Sequence, residues 1–257
     1  ARVRVDRVSS DDPAASELEA AFPGVVWWWG ADDIESSGSN LARMRDQVGD
    51  ALDLEVVGGT VANPTTAAGF NGELVVDLAS DNLLADLGMD PEDVVDLSAF
   101  CVVVLYDPTT ADQVQWIVSL LDDGLEPKLQ VFHYTGLGVF ARRIAADASA
   151  AEVVVAQAIV INGNASGHQL WRKVARVGDV ANPLTLLATN ASAGDIGNIR
   201  GVRVGSFDNI GTSPFGGKFA RLGVGAQMLT GAVGVGQAPA SESQLAALDA
   251  YLERWLP

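Results

Sequence analysis

From Val25 onward the apolar residues come in short runs rich in Val, Ile and aromatics: VVWWW, LDLEVV, GELVVDL, AFCVVVLY, VQWIVSLL, KLQVFHY, AEVVVAQAIVI, GVRVGSF and KFARLGV. Gly, Asn, Asp and Pro separate them. This rhythm predicts a two-sheet antiparallel sandwich, an all-β fold, and not alternating strand and helix units. Before it, Arg2 and Arg4 alternate with Val3 and Val5, and Arg7 precedes Val8, so a strand with one basic face is expected. SSDDPAASELEAAFPG reads as a loop or one short helix ending before Pro23. The convincing helix is terminal: SESQLAALDAYLERWLP opens with Ser241 and Gln244 at capping-box spacing and sets Leu245, Leu248, Leu252 and Trp255 along one face. The run Trp27-Trp28-Trp29 sends its outer members to one side of a strand and Trp28 to the other. No fixed-period repeat is present, which disfavours solenoids and propellers. Residues 1–24 are expected to form an attachment arm and linker, and 25–257 a single domain.

Composition fits that picture. Of 257 residues, 48% are hydrophobic and 19% charged, enough apolar surface for a continuous core, and 27 glycines suit many turns. The 33 acidic against 16 basic residues give a net charge of −17, which repels phosphate backbones and anionic membranes. Nucleic acid is therefore not an expected partner. The acidity reads as a solvated surface, with a calcium-rich surface as the sharper alternative. Cys101, the one cysteine, forms no internal disulfide and lies among apolar neighbours typical of a core. No apolar run approaches the ~20 residues of a membrane span, and ARVRVDRVSSDD lacks the apolar centre of a secretion signal.

The order VVWWWGADDI, RMRDQVGDALDL, NPTTAAGFNGELVVDL, AFCVVVLY, GVRVGSF, PFGGKFARLGV and SQLAALDAYLERWL resembles bacterial and viral concanavalin A-like, laminin-G-type jelly-roll modules. The resemblance covers about Val25 to Pro257. Asn71-Gly72 matches the family's NG segment, and Tyr251, Leu252 and Trp255 match its terminal helix. In the turn Arg45-Asp46-Gln47-Val48-Gly49 the family's Trp and Ser are missing while Asp46 and Gly49 remain. The resemblance implies a jelly-roll sandwich with a short C-terminal helix and a habit of binding glycans or proteins on surfaces.

Glycan hydrolases of this fold carry an E-x-D-x-(x)-E strand, because period-two spacing puts the acids on one face. No Glu here has Asp two positions later, so a non-catalytic module is expected. His133 and His168, 35 residues apart, carry no zinc spacing, and no G-x-S-x-G nucleophile turn occurs. GVGAQ and GAVGVG read as strand-turn glycines. Exposed aromatics can stack on sugar rings, which nominates Trp171, Tyr134 and Trp116. Trp171 leads because it follows NGNASGHQL, a polar loop whose Asn164 and His168 can hydrogen-bond hydroxyls. Asp32, Asp33 and Asp46 are the calcium candidates. Arg2, Arg4 and Arg7 are the expected contact with an acidic partner.

The expected function is a virus-particle appendage, a spike or fibre, that touches host surface polysaccharide from a virion or other extracellular surface. It joins other virion proteins through its N-terminal arm, as a monomer or homo-oligomer. The alternatives are a capsid decoration protein and a glycan-active hydrolase whose carboxylate pair comes from separate strands.

Overall fold

The computed structural model describes residues 13–48, 53–57, 59–78, 83–86, 94–107, 114–134, 138–141, 144–145, 154–176, 183–191, 196–205, 215–229 and 242–256. Helix α1 (Pro13–Ala21) leads into β1 (Val25–Ser37) and β2 (Asn40–Asp46). Short strands follow: β3 (Leu54–Val57), β4 (Val61–Ala62), β5 (Thr65–Thr66), β6 (Leu74–Leu78), β7 (Leu83–Asp86) and β8 (Val95–Asp96). Next come β9 (Ala99–Asp107), β10 (Val114–Leu121), β11 (Pro127–Tyr134), β12 (Gly138–Ala141) and β13 (Ile144–Ala145). The rest is β14 (Val154–Asn164), β15 (Gly167–Arg176), β16 (Thr185–Asn190), β17 (Asn198–Ile199), β18 (Gly201–Val204), β19 (Gly217–Gly225) and α2 (Glu242–Leu252).

The chain is all-β and antiparallel, as its rhythm predicts, but its large sheet is continuous where two separate sheets were expected. One half runs β16-β15-β14-β9-β19-β1 and the other β12-β11-β10-β18-β7-β3. Strand β2 pairs with β1 on one side and β3 on the other, which joins the halves. The β1–β2 register slips between Trp29 and Ile34 and again after Glu35. Such irregularities bend a strand and let a sheet turn over on itself.

Alternation along β9 shows how the layers are arranged. Phe100, Val102, Val104 and Tyr106 enter a core cluster that also holds Val118 and Leu120 of β10, Leu129 and Val131 of β11, and Val202 and Val204 of β18. Cys101, Val103 and Leu105 enter a second cluster with Leu18 and Phe22 of the α1 region and Leu248, Leu252 and Trp255 of the α2 region. The AFCVVVLY run is apolar throughout because both of its faces are covered. Trp27 and Trp29 join the first cluster and Trp28 the second, as their spacing predicts, and all three are buried. At Gly223 a Cβ would collide with the Trp28 and Phe22 rings, so this position needs glycine.

The boundary drawn at residue 25 requires correction. Leu18, Ala21 and Phe22 are buried, and Glu17 pairs with Arg254, so α1 belongs to the body. Arg2, Arg4 and Arg7, the expected partner contact, lie outside the described residues.

Candidate functional site

Side chains directly opposed across two strands share a face, and β11 sets the frame for the outward side of the second half-sheet. Leu129 and Val131 point into the core, so Gln130 and Phe132 between and after them point out. On β10, Val118 opposes Val131 and Leu120 opposes Leu129, which turns Ser119 outward opposite Gln130. Regular alternation would send Trp116 inward with Val118. A register shift between them reverses that, and Trp116 lies opposite Phe132 on the outward face. The two half-buried rings are 4.5 Å apart at an interplanar angle of 42°.

Next to this pair lies a polar row. Ser119 opposes both Gln130 and Arg203, with Gln130 Nε2 at 3.5 Å from Ser119 Oγ. Ser119, Gln130 and Arg203 expose 0%, 5% and 4% of their surface. The row continues through Ala85 to Glu55 and Arg43. Arg43 gathers three carboxylates, Asp53 at 3.2 Å, Glu35 at 3.5 Å and Glu55 at 3.7 Å. A hydrogen bond to Asp53, helped by the charges of Glu35 and Glu55, raises its pKa.

The other nominated sugar ligands lie elsewhere. Trp171 is 7% exposed within the second apolar cluster, its Nε1 donating to Gln169 Oε1 at 3.4 Å, so its face is packed and not presented for stacking. His168 is fully buried with its ring edge-on to Phe100 at 4.9 Å. Asn164 sits at the β14–β15 hairpin tip and accepts from the Ser166 amide at 2.8 Å. The Tyr134 backbone pairs with Val114 and Gly138, and its side chain lies outside the described set.

Two of the three calcium candidates, Asp32 and Asp46, serve the framework. Asp32 pairs with Arg221 at 2.5 Å and accepts from Gln47 Nε2 at 2.9 Å. Burial opposes its charge, yet Arg221 and Gln47 hold its carboxyl below the ordinary value. Buried Asp46 accepts from the amides of Trp28 at 2.9 Å and Val48 at 3.2 Å, and Asp33 is half-buried. Among the described residues no three His, Cys, Asp or Glu side chains are grouped to hold a metal.

Of the nominated residues Trp116 lies on this face, while Phe132, Ser119, Gln130 and Arg203 beside it were not nominated. A signal existed, because Gln130 and Ser119 are polar interruptions in apolar strands. Nor was a carboxylate set nominated: Lys218 opposes Asp107 on one side and Asp77 on the other. Burial, reinforced by Asp77 and opposed by Lys218, pushes Asp107 up to about 6.

No family model matches this chain, and no curated protein does. Solved structures do. A GH54 α-L-arabinofuranosidase soaked with a cyclic sulfate inhibitor superposes with a TM-score of 0.57 at 11% identity, over 91% of this chain and 60% of that one. An arabinofuranosidase complexed with arabinofuranosyl-α-1,2-xylobiose gives 0.52 at 9%, over 85% and 52%. Trypanosoma rangeli sialidase gives 0.52 at 10%, over 90% and 33%. At these identities the likeness is one of fold, and this chain spans three fifths or less of each partner. The structures it is similar to are carbohydrate-active. The expectation of a non-catalytic module is corrected here: it rested on the missing E-x-D-x-(x)-E strand, whereas the matched chains are glycoside hydrolases.

Proposed function

We propose that this chain is a glycan-active domain that seats a sugar chain on the outward face of β10, β11 and β18. The observation that carries the reading is the half-buried Trp116–Phe132 pair on this face, with the buried polar row of Ser119, Gln130 and Arg203 behind it as support for the strands and not as a ligand contact. Sugar rings present apolar C–H patches to aromatic faces, while their hydroxyls need a few convergent polar groups. The matched fold supports the reading, since the proteins that share it are named for acting on glycans, though fold alone does not fix function. The bend at β2 likewise supports a jelly-roll sandwich of the concanavalin A-like kind.

An extracellular surface and a host polysaccharide partner belong to this proposal as its setting. The structures described above are enzymes and not virion components, so they lend no support to a spike or fibre. Affinity electrophoresis through gels carrying different polysaccharides tests the reading. Wild type is retarded by at least one polymer, and Trp116→Ala loses that retardation with an unchanged melting temperature. Retardation that survives Trp116→Ala overturns the site.

A second reading, glycoside hydrolysis, is favoured by Asp107. A carboxyl held up to about 6 still donates protons close to neutrality, and a second carboxyl, Asp77, lies two strands away. Reducing-end release that disappears in Asp107→Asn supports it. Release unaffected by that change removes Asp107 from the reaction.

A further inference from the structure

The tip of the β14–β15 hairpin carries chemistry that the sugar-seating face does not use. An asparagine carboxamide accepts an N-linked glycan where the chain reads Asn-x-Ser or Asn-x-Thr with x other than proline. This chain reads so at Asn164-Ala165-Ser166 and Asn190-Ala191-Ser192, while Asn63-Pro64-Thr65 holds the excluded proline. Resting on the extracellular setting proposed above, and not on the Trp116 face, we infer that Asn164 is an N-glycosylation site.

Geometry separates Asn164 from the other asparagines. It pairs with Gly167 across the hairpin, so Ala165 and Ser166 form a two-residue loop, both exposed, with Asn164 half-buried at its base. Asn164 Oδ1 accepts from the Ser166 amide at 2.8 Å, a bond that only the oxygen of the carboxamide can make. The nitrogen leaves the planar carboxamide carbon on the other side, so Nδ2 is turned away from that amide. Among the described residues it has no hydrogen-bond partner. Asn63 Nδ2, by contrast, donates to the Gly38 carbonyl at 3.1 Å. Asn162 is fully buried and accepts the Leu229 amide at 2.9 Å, where a glycan has no room. Ser192 of the Asn190 triplet lies outside the described residues.

The donor in such a transfer is an oligosaccharide linked to a polyprenyl diphosphate. The bond from Nδ2 to sugar C1 forms as the bond from C1 to the diphosphate oxygen breaks. An Nδ2 proton passes to a base of the transferase, and the lipid diphosphate departs with the electron pair. A glycan placed at this tip projects into solvent, and it also stays clear of the Trp116 face. Asn164 lies opposite Ala99, at one end of β9. Trp116 belongs to the other end: Gly205 donates to Ile117, Phe215 donates to Gly205, and the Phe215 ring meets Tyr106 edge-on at 5.7 Å. The nine residues of β9 set the two ends roughly 26 Å apart.

To test the site, the full chain is directed by a leader peptide through the secretory pathway of a eukaryotic host and purified from the medium. Peptide-N-glycosidase in oxygen-labelled water then converts each glycan-bearing asparagine into labelled aspartate, which peptide mass spectrometry locates. Label is expected at Asn164 and not at Asn63. Ser166→Ala keeps the amide that bonds Oδ1 but loses the hydroxyl, so label at Asn164 should vanish with an unchanged melting temperature, and Ser166→Thr should restore it. Secreted wild type of normal melting temperature without label at Asn164 overturns the inference, as does label that survives Ser166→Ala. Polysaccharide retardation of the same samples is a separate readout: wild type labelled at Asn164 but never retarded sinks the Trp116 face and leaves this inference standing.

Discussion

Asp107 closes strand β9, half-buried, with Lys218 and Asp77 across the neighbouring strands. Its pKa, raised from 3.8 to about 6, is a statement about stability. Between those values the folded chain holds a proton that the unfolded chain has released, so stability falls as pH rises through the window. Above it the whole penalty is present. Asp107→Asn removes the charge and should therefore stabilise the protein at pH 7 to 8 by about 1 kcal/mol, once solvent contact is allowed for, with no gain at pH 3. Urea titrations at the two pH values check this; equal effects at both would show that the carboxyl is not held up. At the same scale, only part of the site was legible. Trp116 was nominated as an aromatic, but its outward aim depends on the register shift before Val118, which no spacing rule foretells. Trp171 was favoured for its polar neighbours, whereas strand alternation turns it with Val160 towards the second apolar cluster.

Among the elements, α2 was the most legible, because its period of apolar residues matches the face it buries: Leu248 and Leu252 are fully buried, and Trp255 just beyond it nearly so. What the sequence could not show is the polar clamp beneath it. Lys173, on the helix-facing side of β15, is 1% exposed and reaches Asp249 Oδ1 at 2.6 Å, an oxygen that also accepts the Leu184 amide at 3.1 Å. Arg221 stacks on the Trp255 ring at 4.3 Å while pairing with Asp32. These partners lie 76 and 189 positions apart, a separation at which sequence carries no pairing signal. Removing one member of a buried pair leaves a stranded charge, whereas replacing the buried cation with an apolar chain of similar size does not. Asp249→Asn should therefore cost about 3 kcal/mol, at the low end for such pairs because Glu253 stands 3.8 Å from the Lys173 ammonium. Lys173→Met should cost less than about 1 kcal/mol. Denaturant midpoints of both variants test this, and equal losses would show that the pair itself, and not the stranded lysine, sets the stability. The strands were legible as a rhythm, but the role of β2 was not, since bridging two halves is a property of both its edges at once.

At the scale of the whole molecule the acidic surface pulls against the ion pairs. A net charge of −17 on 257 residues means the folded state gathers repulsion that the expanded chain relieves by distance. Added salt weakens this repulsion and also weakens the exposed pairs, such as Arg254 with Glu17 and Arg43 with Glu35. Magnitudes decide between them. Exposed pairs contribute about 0–1 kcal/mol each, and several described here share the single hub of Arg43, so little is lost when they are screened. The excess of negative charge acts everywhere on the surface, and its range shrinks from about 30 Å at 0.01 M salt to about 8 Å at 0.15 M. Repulsion should therefore lose more than attraction, and the melting temperature should rise by a few degrees over that span of sodium chloride before levelling. Sodium perchlorate, of equal ionic strength but opposite tendency towards apolar burial, should give the same initial rise if screening is the cause. A melting temperature that falls with either salt at low concentration would show that the paired charges outweigh the unpaired excess.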